Sequence, residues 1–203
     1  MPTIQIATFP VTAEFHSAPQ TFAASLNIIK TADGHIQSFY GVQTENDKQG
    51  YFISVWESFE KQAALRASPD YKVVVEALRS TTSDREKFSR HNIDVSTDAV
   101  KALSSPAAEI VIFTLNNGEG DAPALTEILN ELTAKLDAAP GAVPPAYFGQ
   151  SREDKTKFVL VAGWESLQAH QDAVKEGTDP HSSIAKIRAV AQPVIGHSHL
   201  KVV

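Results

Sequence analysis

The chain has 203 residues, 42% of them hydrophobic, which is enough to bury a core in one large domain or two small ones. Its formal net charge is -6 and no run of basic residues occurs, which argues against nucleic acid as the main partner. The sequence contains no cysteine, which excludes disulfides, thiolate nucleophiles and Cys-ligated metals.

The N-terminus shows no targeting signal. It lacks a basic stretch followed by a long apolar run, so no signal peptide is predicted. No segment approaches the roughly 20 apolar residues of a membrane span. We therefore expect a cytoplasmic protein with no membrane partner.

The first half of the sequence predicts the element order β-α-β-β-α-β. An alternating strand over residues 3–9, with Ile4, Ile6 and Thr8 on one face, precedes a helix marked by Phe22, Leu26 and Ile29. The remaining predicted elements are strands 36–43 and 51–56, a short helix 59–66, a second helix that Ser68-Pro69 opens, and a strand 88–95.

The second half predicts the same order. Its first strand, 109–115, places Ile110, Ile112 and Thr114 on one face, and a leucine-rich helix follows over 125–136. The later predicted elements are strands 146–150 and 158–164, a short helix 167–175, a helix start at Asp179-Pro180, and a strand 194–202.

A tripeptide marks the same junction in both halves. Trp56-Glu57-Ser58 ends a predicted strand and opens a helix, and Trp164-Glu165-Ser166 does the same in the second half. The sequence therefore predicts a duplicated unit, with repeats at 1–95 and 109–203 and a linker at 96–108. This order is the ferredoxin-like arrangement, whose uncovered sheet face needs a partner. We expect the two sheets to enclose a ligand pocket.

These features resemble the dimeric α/β-barrel superfamily, and within it the antibiotic-biosynthesis-monooxygenase-like domains. The resemblance rests on the strand into Trp-Glu-Ser, the helix after it and Ser68-Pro69-Asp70-Tyr71, with second-half counterparts at residues 159–166 and 178–181. It covers nearly the whole chain and implies an α+β fold in which two ferredoxin-like repeats form an intramolecular dimeric α/β barrel. It also implies a small-molecule substrate that is aromatic or polyketide-like.

Histidines are the candidate catalytic groups. His197 and His199 lie two apart in a predicted strand and would share a face, and His91 is expected at the related position of the first repeat. His181 follows the Asp179-Pro180 helix start. A neutral imidazole in the pocket would remove a phenolic proton. Alternatively, His197 and His199 lie at an exposed C-terminus, and His181 is a solvated first-turn residue.

No metal or cofactor site is predicted. His197 and His199 would supply two ligands, and no third histidine or carboxylate has a persuasive spacing. The sequence contains no Gly-x-Gly-x-x-Gly, P-loop or Gly-x-Ser-x-Gly motif. His170 is expected on the surface.

Aromatic and amide side chains are the candidate substrate contacts. Trp56 and Trp164 end central strands, Tyr40 and Tyr147 lie in matching strands, and Asn130 interrupts the leucine stripe of its helix. The alternative for the aromatic residues is core packing.

The leading function is a cofactor-independent monooxygenase or cyclase acting on an aromatic or polyketide-like molecule. The alternatives are a non-catalytic small-molecule-binding or stress-related barrel protein and a haem-binding or haem-degrading protein. We hypothesise that the second half carries the working pocket, because His181, His197 and His199 lie there. A homodimer remains open.

Overall fold

The computed structural model describes residues 1–17, 20, 22–23 and 26–203. The chain divides into two compact units. The first unit comprises Met1–Ser96 and Lys201–Val203, and the second comprises Thr97–Leu200. No helix in the described ranges is long and apolar enough to cross a membrane.

The first unit contains a five-stranded antiparallel sheet with the order β4-β1-β3-β2-β9. Its elements are β1 (Thr3–Pro10), α1 (Ala13–Ser17), α2 (Asn27–Lys30), β2 (His35–Val42), β3 (Gln49–Trp56), α3 (Phe59–Ala67), α4 (Tyr71–Thr81), β4 (Ser89–Asp94) and β9 (Lys201–Val202). The helix predicted around Phe22 and Leu26 falls partly on residues 18, 19, 21, 24 and 25, which lie outside the described residues.

The second unit contains a four-stranded antiparallel sheet with the order β6-β7-β5-β8. Its elements are α5 (Ala99–Leu103), β5 (Ala107–Leu115), α6 (Ala122–Asp137), β6 (Tyr147–Gln150), β7 (Lys157–Trp164), α7 (Leu167–Ala173), α8 (Ser182–Val190) and β8 (Ala191–Ser198). The predicted fold of two ferredoxin-like repeats is thereby confirmed.

One strand boundary differs from the sequence prediction, and the expected linker contains a helix. The expected linker over 96–108 contains α5, because Ala99, Ala102 and Leu103 are apolar and become buried. The strand expected over 194–202 ends at Ser198, and Lys201–Val202 pairs instead with β2 of the first unit.

The repeated Trp-Glu-Ser forms the junction between a strand and a helix in each unit. Ser58 caps α3 by accepting the Lys61 backbone N–H at 3.4 Å, and Ser166 caps α7 by accepting the Ala169 N–H at 3.1 Å. A serine at this position satisfies a helix N–H that has no partner within the helix. Capping therefore explains why the serine of this motif recurs.

Alternation along β5 decides which side chains face the helices. Val111, Phe113 and Leu115 pack with the leucines of α6 in one buried core. Glu109 belongs to the same alternate set, so its carboxylate is on the helix-covered face of the sheet. Ile110 and Ile112, the pair singled out in the sequence, point to the other face.

Candidate active site

Three buried ionisable side chains meet on the helix-covered face of the second sheet. Glu109 on β5, His170 on α7 and His197 on β8 are 5%, 8% and 4% exposed. One ligand-type atom from each lies within 4.8 Å of the others. Carboxylate and imidazole groups also bind divalent metals, and sequence spacing had not indicated Glu109 or His170 as further ligand-type residues beside His197.

The strand register brings the first two groups together. Glu109 and His197 are directly opposite each other in the antiparallel β5–β8 pair, so their side chains leave the sheet on the same face. The helix that follows Trp-Glu-Ser supplies the third group. His170 Nε2 lies 3.4 Å from Glu109 Oε1, and the His170 and His197 ring centroids are 4.6 Å apart.

Trp164 orients the carboxylate. Its Nε1–H donates to Glu109 Oε2 at 2.8 Å, and its ring packs 5.1 Å from the ring of His170. The two oxygens of Glu109 therefore have different neighbours, an indole N–H on one side and an imidazole on the other. A fixed carboxylate beside an imidazole is an arrangement that can hold and pass a proton.

A cavity of about 150 Å³ adjoins this group. Glu109 and His170 are part of its wall, and Arg188 of α8 is the basic residue that lines it. The rest of the lining is apolar and consists of Val111, Phe113, Leu132, Leu136, Leu160, Val174, Pro180, Ile184, Ile187, Pro193 and Ile195. The cavity thus combines an apolar wall with a small set of convergent polar groups.

The first unit carries neutral residues at the corresponding positions. Gln5 is opposite Asn92 in the β1–β4 pair, as Glu109 is opposite His197. Gln62 donates its backbone N–H to the carbonyl of its N-cap serine at 3.3 Å, as His170 does in the second unit. The side-chain amide N–H of Gln62 in turn donates to the side-chain oxygen Oε1 of Gln5. The same constellation is therefore ionisable in one repeat and neutral in the other.

The structure separates the two C-terminal histidines. β8 ends at Ser198, so His199 lies beyond the strand, is exposed and places its Nδ1 3.1 Å from the Pro106 carbonyl oxygen. The prediction that His197 and His199 share a strand face is wrong, because the strand ends between them. Of the pair, only His197 lies with Glu109.

His91 is not the counterpart of His199. It is opposite Ile6 in the β1–β4 pair, on the sheet face away from Gln5, and its Nε2 lies 2.9 Å from Ser89 Oγ. The register makes Gly196, which is opposite Ile110, its equivalent in the second unit. His91 is buried, but it is placed on the wrong face to join a constellation like that of Glu109.

His181 and Asn130 do not line the cavity. His181 is the half-buried N-cap residue of α8 and makes no side-chain cap hydrogen bond, although the preceding Pro180 is part of the cavity wall. Asn130 is exposed on α6. It interrupts the leucine stripe because it belongs to the solvent face of the helix.

Both tyrosines predicted to contact substrate are buried and make contacts within their own unit. The Tyr147 hydroxyl donates to the Ala99 carbonyl oxygen at 3.2 Å, and burial raises the pKa of this hydroxyl well above its usual value. Tyr40 packs edge-on against Phe15 and Phe22 in the first unit.

The two tryptophans have diverged in their partners. The Trp56 Nε1–H donates to Ser54 Oγ at 2.9 Å, whereas that of Trp164 donates to Glu109. Core packing therefore accounts for Trp56. Trp164 also serves the candidate site, since it holds the carboxylate.

Sequence reasoning missed Glu109 and His170. His170 was expected on the surface, and it is buried because it lies on the inner face of α7. The sequence contains a signal for each residue. Glu109 is a lone carboxylate in the alternating apolar set of β5. His170 stands where the first repeat has a glutamine at the equivalent position.

The fold matches solved structures over its whole length. A proposed monooxygenase from Fusobacterium nucleatum has a TM-score of 0.72 at 11% identity, with 99% of this chain and 93% of that chain covered. An anthrone oxidase-like protein gives 0.71 at 16%, covering 99% and 92%. A proposed monooxygenase from Lactobacillus acidophilus gives 0.67 at 12%, covering 99% and 95%.

The chain therefore has the same fold as these structures. The resemblance inferred from the sequence is thus confirmed for the fold. No family model and no curated protein matches the sequence.

Proposed function

We propose that the second unit is the active site of a cofactor-independent monooxygenase acting on a small aromatic molecule. The observation that carries the proposal is the buried Glu109–His170–His197 group, two members of which, Glu109 and His170, line an apolar cavity. The other repeat has only amides at the equivalent positions. Burying an ionisable group costs free energy unless the group is paired or hydrogen-bonded. A cluster of such groups beside a cavity therefore marks a candidate functional site. Solved structures of the same fold that are described as monooxygenases support the choice of reaction.

The size of the cavity favours a single ring. A cavity of about 150 Å³ is large enough to hold one benzene molecule in another protein. The apolar wall would bury the ring, and a phenolic hydroxyl would lie at the polar end beside His170. This volume also favours a single ring over a haem macrocycle, which has four pyrrole rings.

The chemistry begins with proton removal. His170 accepts the phenolic proton, and the carboxylate of Glu109 stabilises the imidazolium that results. The phenol is the enol form of a ring that has one CH₂ carbon in its keto form, so loss of the phenolic proton gives an anion with negative charge on that carbon, which then carries one hydrogen. This carbon reacts with dioxygen to form a C–O bond, and protonation of the terminal oxygen gives a hydroperoxide. Loss of water leaves a carbonyl group, so one CH₂ group and one O₂ give one C=O group and one H₂O.

Oxygen uptake with a panel of one-ring and multi-ring phenols tests this proposal. We expect uptake with one-ring substrates, with a carbonyl product detected by mass spectrometry. Glu109→Gln should reduce the rate by about 10² to 10⁴, the usual range for general acid–base catalysis. Glu165→Gln is the matched control, because Glu165 is exposed in the same unit.

Three outcomes would contradict the proposal. Equal rates in Glu109→Gln and wild type would remove the carboxylate from the mechanism. Ring closure without oxygen uptake would show a cyclase instead. Loss of activity with EDTA, restored by a divalent metal, would show that the reaction depends on a metal.

A further inference from the structure

We propose that the first unit binds a small aromatic carboxylate in a cavity bordered by three arginines. The cavity has a volume of about 340 Å³ and lies in the layer between the first sheet and its helices. Its lining residues are Gln5, Tyr71, Val75, Leu78, Arg79, Thr82, Arg85, Phe88 and Arg90. This site is separate from the proposed active site and does not depend on the function proposed for it.

The strand register identifies this cavity as the counterpart of the one in the second unit. Arg90 is opposite Ala7 in the β1–β4 pair, and Ile195 is opposite Val111 in the β5–β8 pair. Gln5 occupies the position of Glu109. Compared with the second unit, the first unit therefore has a cation in place of an apolar wall residue and a neutral amide in place of a carboxylate, which favours a ligand of negative charge.

The charged side chains among the described residues that line the cavity are all arginines. Three guanidinium groups border it, and no carboxylate occurs among its described lining residues. Arg79 forms an ion pair with Glu76 at 2.7 Å, and at least half of each side chain is exposed, so water screens this pair. Arg85 lies on the helical turn Arg85–Lys87, and half-buried Arg90 lies on β4.

The three arginines line one cavity of a chain whose formal net charge is -6. Like charges repel when they are brought together, and an anionic ligand relieves that repulsion. Guanidinium groups match carboxylates in geometry because two parallel N–H groups can donate to the two oxygens. The arginines therefore specify the charge of the ligand.

The rest of the lining specifies its shape. Tyr71 and Phe88 present aromatic rings, and Val75 and Leu78 add aliphatic surface. Phe88 is itself held by Phe9 of β1, with the ring centroids 6.1 Å apart and the rings nearly parallel. A flat apolar body next to a cationic rim fits an aromatic ring that carries a carboxylate.

Isothermal titration calorimetry, in which benzoate or benzamide is added to the whole chain, tests the proposal. The two probes have the same shape and differ in charge, so benzoate should bind at least about tenfold more tightly. Arg85→Ala and Arg90→Ile should each weaken benzoate binding by about tenfold, and the second variant installs the residue found in the other repeat. Higher salt should weaken binding of benzoate but not of benzamide.

Arg188→Ala is the matched control, because this arginine lines the cavity of the second unit. Benzoate affinity that is unchanged in Arg188→Ala and reduced in Arg85→Ala places the anion in the first unit. No benzoate binding, equal affinity for benzoate and benzamide, or a loss of affinity in Arg188→Ala alone would overturn the proposal. Arg85 is exposed, so the test does not depend on a variant that disturbs the core.

Discussion

Replacing Glu109, His170 and His197 by glutamine, glutamine and asparagine would give the second unit the polar set of the first. We expect the variant to fold, because the first unit holds Gln5, Gln62 and Asn92 at equivalent positions of the same sheet and helix. We expect it to be inactive, because amides do not accept a proton from a phenol at neutral pH.

The structure sets the magnitude of both effects. Glutamine at position 109 keeps an oxygen that can accept the Trp164 Nε1–H, now 2.8 Å from the carboxylate. The loss is the charge assistance of this bond, about 1 kcal/mol. No large void opens, so the free energy of unfolding should change by less than about 2 kcal/mol. Oxygen uptake should fall by about 10² to 10⁴, which corresponds to about 3–5 kcal/mol of activation free energy.

Urea unfolding followed by circular dichroism measures the first quantity, and an oxygen electrode measures the second. Glu165→Gln is again the control for loss of a carboxylate. Oxygen uptake at the wild-type rate in the triple variant would refute the assignment of the active site. Destabilisation beyond about 4 kcal/mol would refute the idea that the two sets are interchangeable in this fold.

Three further predictions concern the framework. Tyr147→Phe removes the hydrogen bond to the Ala99 carbonyl and should lower the free energy of unfolding by about 1 kcal/mol with activity unchanged; a large loss of activity would instead make it a substrate contact. Gly163→Ala should cost about 1–3 kcal/mol in urea unfolding, because the added Cβ would lie 2.9 Å from the backbone of α5, and a neutral result would contradict this close approach. Burial lowers the pKa of His35 below 6.5, so the unfolded chain takes up this proton first. His35's contribution to stability is therefore complete above about pH 6.5 and is lost as the pH falls below it. Urea titrations at several pH values should show that the free energy of unfolding depends less on pH in His35→Gln. The exposed-site control His16→Gln should not show this change.

The sequence alone determined the duplication and the element order. Ser58 and Ser166 are recognisable because helix capping is local: the serine satisfies an N–H within its own turn. The leucine stripe of α6 is equally local, because its periodicity of 3.6 residues defines the buried face wherever the helix packs. Such features do not depend on which strands are neighbours, so they can be recognised from the sequence. For this reason the prediction of the fold was correct.

The tertiary structure decided the composition of the site. Glu109, His170 and His197 come from three elements that are far apart in sequence, and only the register of β5 with β8 and the docking of α7 bring them together. The sequence indicated His197 and gave equal weight to His199, because alternation along a strand holds only up to the residue where the strand ends. Trp-Glu-Ser indicated where each repeat turns into a helix. Pairing between distant strands brings an acid and a histidine together in one repeat and two amides together in the other, and the docked helix adds the third member of each group.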